Sequence, residues 1–137
     1  MRPDATLLAG VAFVAFLGAA LLARRVPALD GALDSALAAA DAGSTALVLA
    51  IAFVNAVAEE HFFRGALPIA VAGDHRPAVA TVLFVLVTAA TLNLALVVAA
   101  AVMGTIFMLE RLATQGLRAP SLTHVTWSVL MLLALPA

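Results

Sequence analysis

Charge in this chain is confined to short islands, and that distribution limits the fold more than any other feature. Residues 5–23, 42–58, 77–109 and 119–137 contain no Asp, Glu, Lys or Arg. A helix crossing the hydrocarbon core of a membrane needs about 20 apolar residues. Of the 137 residues, 65% are hydrophobic and 11% charged, where soluble domains carry about 25% charged residues. One all-α domain is therefore expected, a polytopic transmembrane helix bundle. The net charge of −1 and the scattered Arg residues give no nucleic-acid footprint. The absence of Cys excludes disulfides and thiolate metal sites.

The islands divide the runs into about five spans. Residues 5–23 form the first, between Arg2 and Arg24–Arg25. A signal peptide shares this pattern, but the run ends in Arg-Arg and not in a small-x-small site. Residues 26–43 repeat Leu29, Leu33 and Leu37 among three Asp, which reads as a loop with a short interfacial amphipathic helix. Ser44 is the expected N-cap of a second span running to about Ala72, with Pro68 kinking its end. Residues 73–77 (Gly-Asp-His-Arg-Pro) are a turn. The 33 uncharged residues 77–109 are too long for one span, so Thr91-Leu92-Asn93 should break them into a hairpin. Residues 110–118 read as a polar connection, and residues 119–137 as the last span. On this scheme residues 1–43 hold the first span and an interfacial segment, and residues 44–137 a four-span core. Arg2, Arg76, Arg111 and Arg118 fall on one side and Arg24 and Arg25 on the other. The positive-inside rule then puts the N-terminus in the cytoplasm, and the cell (plasma) membrane is the expected location.

Within the second span stand Glu59, Glu60, His61 and Arg64. Charge at bilayer depth costs roughly 2.5–3.5 kcal/mol per group, and such residues usually pair, face a protein interior and mark function. Glu60 and Arg64 are i and i+4 with the acid first, the favoured ion-pair order. Glu59 points about 100° away, with Asn55 one turn before it. A carboxylate without a basic partner in an apolar site has the profile of a general base acting on water. A polar knot that fixes helix packing is the competing reading. His124 is the second candidate, with Thr123, Thr126 and Ser128 around it; a lone His in an apolar segment can also be a packing residue. His61 points to another side of its helix, and His75 lies in a turn. Thr88 can bond back to its own helix. Trp127 reads as packing or interface anchoring. Ala100 and Gly104 form a small-xxx-small helix contact.

Glu59-Glu60-x-x-x-Arg64-Gly65 resembles the first motif of the CAAX protease and bacteriocin-processing family (CPBP, or Abi-type) of intramembrane proteases. Ala119-Pro120-x-x-x-His124-x-x-x-Ser128 is similar to its third motif, and the resemblance covers about residues 45–132. It implies an intramembrane endopeptidase in which Glu59 and His124 activate water to hydrolyse a peptide bond near the membrane surface. Glu60 and Arg64 would brace the site. It further implies a divalent metal, possibly zinc, with Glu59 and His124 as ligands. Two positions depart from the family pattern. Phe84 of the second motif is present, but Thr88 stands where the family has His. Ser128 stands where it has Asn or Asp. Asn55, Phe84, Thr88 and Ser128 are then supporting residues.

The expected partners are membrane lipid and a peptide or protein substrate, with no nucleic acid, and a homodimer could complete the cavity of so short a chain. The departures at Thr88 and Ser128 keep a second reading open, a catalytically degenerate relative acting as a membrane peptide-binding, immunity or regulatory protein. A proton-coupled transporter subunit using Glu59 is a third reading. A Ser128–His124 dyad is a fourth, disfavoured by the placement of both residues on one helix.

Overall fold

In the computed structural model, which describes residues 4–41 and 43–135, the chain is all-α. The described residues form six helices: α1 (Ala5–Ala23), α2 (Pro27–Asp41), α3 (Thr45–Ala70), α4 (Arg76–Ala89), α5 (Leu94–Thr114) and α6 (Arg118–Ala134). Helix α6 packs against α1, α3 and α5, while α4 lies on α5.

The helix ends follow local chemistry. Ser44 caps α3 through Oγ, which accepts the Leu47 N–H at 3.3 Å. Gly73 takes a φ of +87° in the turn that precedes Pro77 in the first turn of α4, a left-handed conformation that suits Gly. The expected break at 91–93 is present. Leu92 adopts φ +55°, and Asn93 Oδ1 caps α5 by accepting the Leu96 N–H at 3.1 Å. Asn93 also donates from Nδ2 to the Ala32 carbonyl of α2 at 2.8 Å, tying two helices together.

Three expectations are changed. Helix α2 fills nearly all of the segment read as a loop with a short helix. Helix α5 runs on to Thr114, so Glu110 and Arg111 belong to it, and the connection begins at Gln115 with φ +54°. The irregularity in α3 comes before Pro68: residues His61–Ala66 form a π-helical turn within the continuous helix. Pro68 has no N–H to give the Arg64 carbonyl four residues back. That carbonyl instead accepts from Arg111 Nε at 3.2 Å.

Helices α3 (26 residues) and α5 (21 residues) are long and apolar enough to cross a membrane; the described parts of α1 and α4 are apolar but shorter. Arg2, which entered the orientation vote, lies outside the described residues. Polarity is inverted relative to a soluble domain. Glu60, Arg64, Glu110 and His124 are buried, whereas Leu7, Val14, Ile51, Val54, Ile69 and Leu109 point outward. Apolar surface on this scale marks contact with lipid or protein.

Because Asn93 serves both as cap and as tie, Asn93→Ala should lower stability by about 1–2 kcal/mol. Thermal unfolding in detergent measures this, and an unchanged midpoint would show that the tie carries no stability.

Candidate active site

The site is assembled from two helices whose site residues lie at least 60 positions apart in the chain. Helix α3 supplies Asn55, Glu59, Glu60 and Arg64, and α6 supplies His124. The i,i+4 pairing expected for Glu60 and Arg64 is present, with Arg64 Nη1 at 3.0 Å from Glu60 Oε1 and both side chains fully buried. Arg64 Nη2 donates to the Gly104 carbonyl of α5 at 2.9 Å. Its guanidinium carbon lies 4.4 Å from the ring centre of Phe84 and 5.2 Å from that of Phe107. This buried cation is held by a carboxylate, a carbonyl and two ring faces, while its buried Nε and the Glu60 Oε2 have no hydrogen-bond partner among the described residues. Breaking such a pair by removing one partner costs about 3–5 kcal/mol.

Glu60 has a second task that spacing did not reveal. Its Oε1 is 2.8 Å from His124 Nδ1. With Nδ1–H donated to Glu60, His124 Nε2 is turned toward Glu59 Oε2, 3.8 Å away. The other oxygen of Glu59 accepts from Asn55 Nδ2 at 2.9 Å, so Asn55 orients the carboxylate and leaves Oε2 free for chemistry. Glu59 therefore has a local partner in Asn55, and its nearest basic group is His124. The ring of Phe107 stacks on His124 with centroids 4.5 Å apart and planes 21° from parallel.

Glu110 lies beside this cluster and was missed as a site residue because it follows a long apolar run at an apparent helix end. It is buried, and its Oε1 accepts from Thr123 Oγ1 at 2.7 Å, one residue before His124. Arg111 reaches back to the Arg64 carbonyl. One turn of α5 thus grips both helices of the site.

The remaining candidates are dispersed. Phe84 serves as a face for Arg64. Thr88 turns its hydroxyl back to the Phe84 carbonyl at 2.9 Å and offers the site no group. His61 is exposed, with Nδ1 against the Val57 carbonyl at 2.8 Å. Ser128 and Trp127 line a cavity of about 810 Å³ that also reaches Asn55 and His124. Trp127 packs edge-on against Phe16 at 5.3 Å.

The donor set is one short of a catalytic zinc site, which normally has three protein ligands and water. His124 Nε2 and Glu59 Oε2 could bind. Glu60 Oε1 is engaged by Arg64 and His124, and Thr88 is bonded to its own helix. Among the described residues no group of three or more His, Cys, Asp or Glu is placed to hold a metal.

Gly104 is the position where bulk is least tolerated. A Cβ there would stand 2.8 Å from Phe84 Cδ1 and 3.2 Å from Arg64 Nη2. Ala in place of Gly favours a helix by about 0.5–1 kcal/mol, whereas overpacking a buried contact costs about 1–3 kcal/mol. Gly104→Ala should therefore destabilise the protein on balance. A thermal midpoint in detergent equal to or above wild type would contradict the packing described.

A family model, type II CAAX prenyl endopeptidase Rce1-like, matches residues 41–130. That range holds the whole Glu59, Glu60, Arg64 and His124 cluster. Comparison with curated proteins and with solved structures returns no match. Well over half of the sequence is covered by the family model, and of the motif residues it spans the fold brings together Glu59, Glu60, Arg64 and His124. The chain belongs to the type II CAAX prenyl endopeptidase Rce1-like family.

Proposed function

We propose that the protein is an intramembrane endopeptidase in which Glu59 and His124 activate water. The observation that carries this reading is the facing pair, Glu59 Oε2 and His124 Nε2, 3.8 Å apart. Each is held from behind, Glu59 by Asn55 and His124 by Glu60. Water hydrogen-bonded between the two would lose a proton to Glu59 as its oxygen attacks the peptide carbonyl carbon. Protonated His124, with Nδ1–H fixed on Glu60, would donate from Nε2 to the developing oxyanion. Glu59 would then hand its proton to the amide nitrogen as the C–N bond breaks. Glu60 and Arg64 touch neither substrate nor water in this scheme; they position His124.

The scheme routes no step through a metal, since only Glu59 Oε2 and His124 Nε2 face one another across the site. In this reading zinc in the purified, detergent-solubilised protein is well below one per chain. Stoichiometric zinc that His124→Ala removes would replace the scheme with a metal-bound one.

The inverted polarity and the family support an integral membrane protein. In the proposed arrangement α1, α3, α4, α5 and α6 are the five spans, α2 lies at the interface, and the N-terminus is cytoplasmic in the cell membrane. Lipid covers the outward apolar faces and a peptide or protein substrate reaches the cavity. A second copy would add to a cavity that one chain already walls.

One observation favours the degenerate reading. Thr88 stands at the second-motif His position and is turned away into its own helix. Glu59→Gln separates the two readings, since it keeps the shape and the Asn55 contact but removes the base. New N-termini among membrane proteins of cells expressing wild type, but absent with a folded Glu59→Gln variant, are the expected result. Equal cleavage by both would sink the mechanism. Peptide capture without cleavage, equal in both, would establish the degenerate relative.

A further inference from the structure

Glu110 is a costly residue to keep where it stands. It lies within α5 and is buried. Among the described residues it makes no ion pair, and its Oε2 has no hydrogen-bond partner. An apolar side chain of similar size would be buried there without that cost. Carboxyl groups in such places are usually paired or functional. The proposed reaction does not use Glu110, and it belongs to none of the three motifs. Its side chain has one hydrogen bond among the described residues, the 2.7 Å contact donated by Thr123 Oγ1, and Thr123 is itself fully buried.

Thr123 and His124 are consecutive on α6, so their side chains leave the helix about 100° apart. Thr123 is tied to α5 through Glu110, and His124 to α3 through Glu60 at 2.8 Å. A helix held at two successive residues by two different neighbours cannot turn about its own axis. Phe107 lies one turn before Glu110 and stacks on the His124 ring. Stacking limits the tilt of that ring but lets it slide in its own plane. The separation of 3.8 Å between His124 Nε2 and Glu59 Oε2 therefore depends on the rotation of α6. Side-chain ends stand ~6 Å from a helix axis, so a turn of ~10° would carry Nε2 by ~1 Å. A misplacement of that size at a reacting group can cost about 100-fold in rate.

We propose that Glu110 is a positioning residue for the reaction: through the Thr123 hydroxyl it fixes the rotation of α6 and so sets His124 Nε2 against Glu59. Glu110 touches neither water nor substrate. The proposal rests on the endopeptidase reading for the reaction that Glu110 serves, but not for the contact it makes. Glu60 then fixes the His124 ring from the α3 side, and Glu110 fixes the backbone that carries the ring from the α5 side.

The test reads His124 itself. The chain has three His, and replacing His61 and His75 by Gln leaves one imidazole. In the untagged, detergent-solubilised full chain labelled with 15N-histidine, the proton that Nδ1 donates to Glu60 gives a resonance whose exchange with water is measured. Glu110→Leu and the similarly shaped Thr123→Val should each speed that exchange roughly tenfold, the weight of one hydrogen bond. The double variant should be no faster than either alone, because both changes break the same contact. Glu110→Gln keeps an acceptor oxygen and Thr123→Ser keeps the hydroxyl, so both should exchange as wild type does. Thermal midpoints are read beside the exchange. A contact that only holds α5 to α6 would lower the midpoint of Thr123→Val and leave exchange unchanged, and that result would overturn the proposal. So would equally fast exchange in Thr123→Ser. Should Glu110→Leu fail to fold, Thr123→Val decides alone. Cleavage is not read, so a His124 fixed by Glu110 in a protein that cuts nothing refutes only the proposed reaction. Cleavage with exchange indifferent to Thr123→Val refutes only the role of Glu110.

Discussion

The Arg64 guanidinium organises the rest of the structure. A cation buried at membrane depth must be compensated or the helix that carries it will not insert. Glu60 supplies the countercharge, Gly104 a carbonyl, and Phe84 and Phe107 their ring faces. Those partners come from α3, α4 and α5, so the requirements of one side chain fix the relative placement of three helices. The same Glu60 oxygen then takes the Nδ1 proton of His124, and α6 joins the set. Site geometry and fold stability are in this sense one problem: the Glu60 carboxylate that pairs with Arg64 also turns His124 toward Glu59.

Second-layer contacts extend this logic. Glu110 and Arg111 occupy one turn of α5 and act on opposite neighbours. Glu110 holds Thr123, beside His124, and Arg111 completes the carbonyl that Pro68 leaves open in α3. Phe107 touches both Arg64 and His124. Two of the four polar side chains of α5, Glu110 and Arg111, are placed against the site's helices, while Thr105 and Thr114 bond back to local carbonyls.

Much of this was legible in the sequence where the interaction is local. The uncharged runs correspond to helices, Ser44 was expected as a cap and residues 91–93 as a break, and the Glu60–Arg64 and Asn55–Glu59 contacts follow from i,i+4 spacing. The pairing of His124 with Glu60 was not legible as a contact, since two residues 64 apart meet only through packing. Motif resemblance placed His124 in the site but did not say which carboxylate holds which nitrogen. Glu110 was hidden by position: a charge at the end of an apolar run looks like an interfacial residue until the helix is seen to continue past it. The π turn was hidden because Pro68 advertises a kink, whereas the strain is taken up one turn earlier.

That π turn has a consequence for how α3 transmits force. A π turn accommodates one residue more than an α turn, so it offsets the angular phase of everything after it by about 100°. Asn55, Glu59 and Glu60 keep the phase of the α-helical stretch before the π turn, while Leu67 to Ala70 follow a different one. Were residues 61–66 to relax into ordinary α geometry, the lower segment would rotate against the upper without unfolding. The Arg64 carbonyl, pinned by Arg111, would resist that rotation. Helix α3 thus changes angular phase within the turn that carries Arg64, and the site lies at that change of phase.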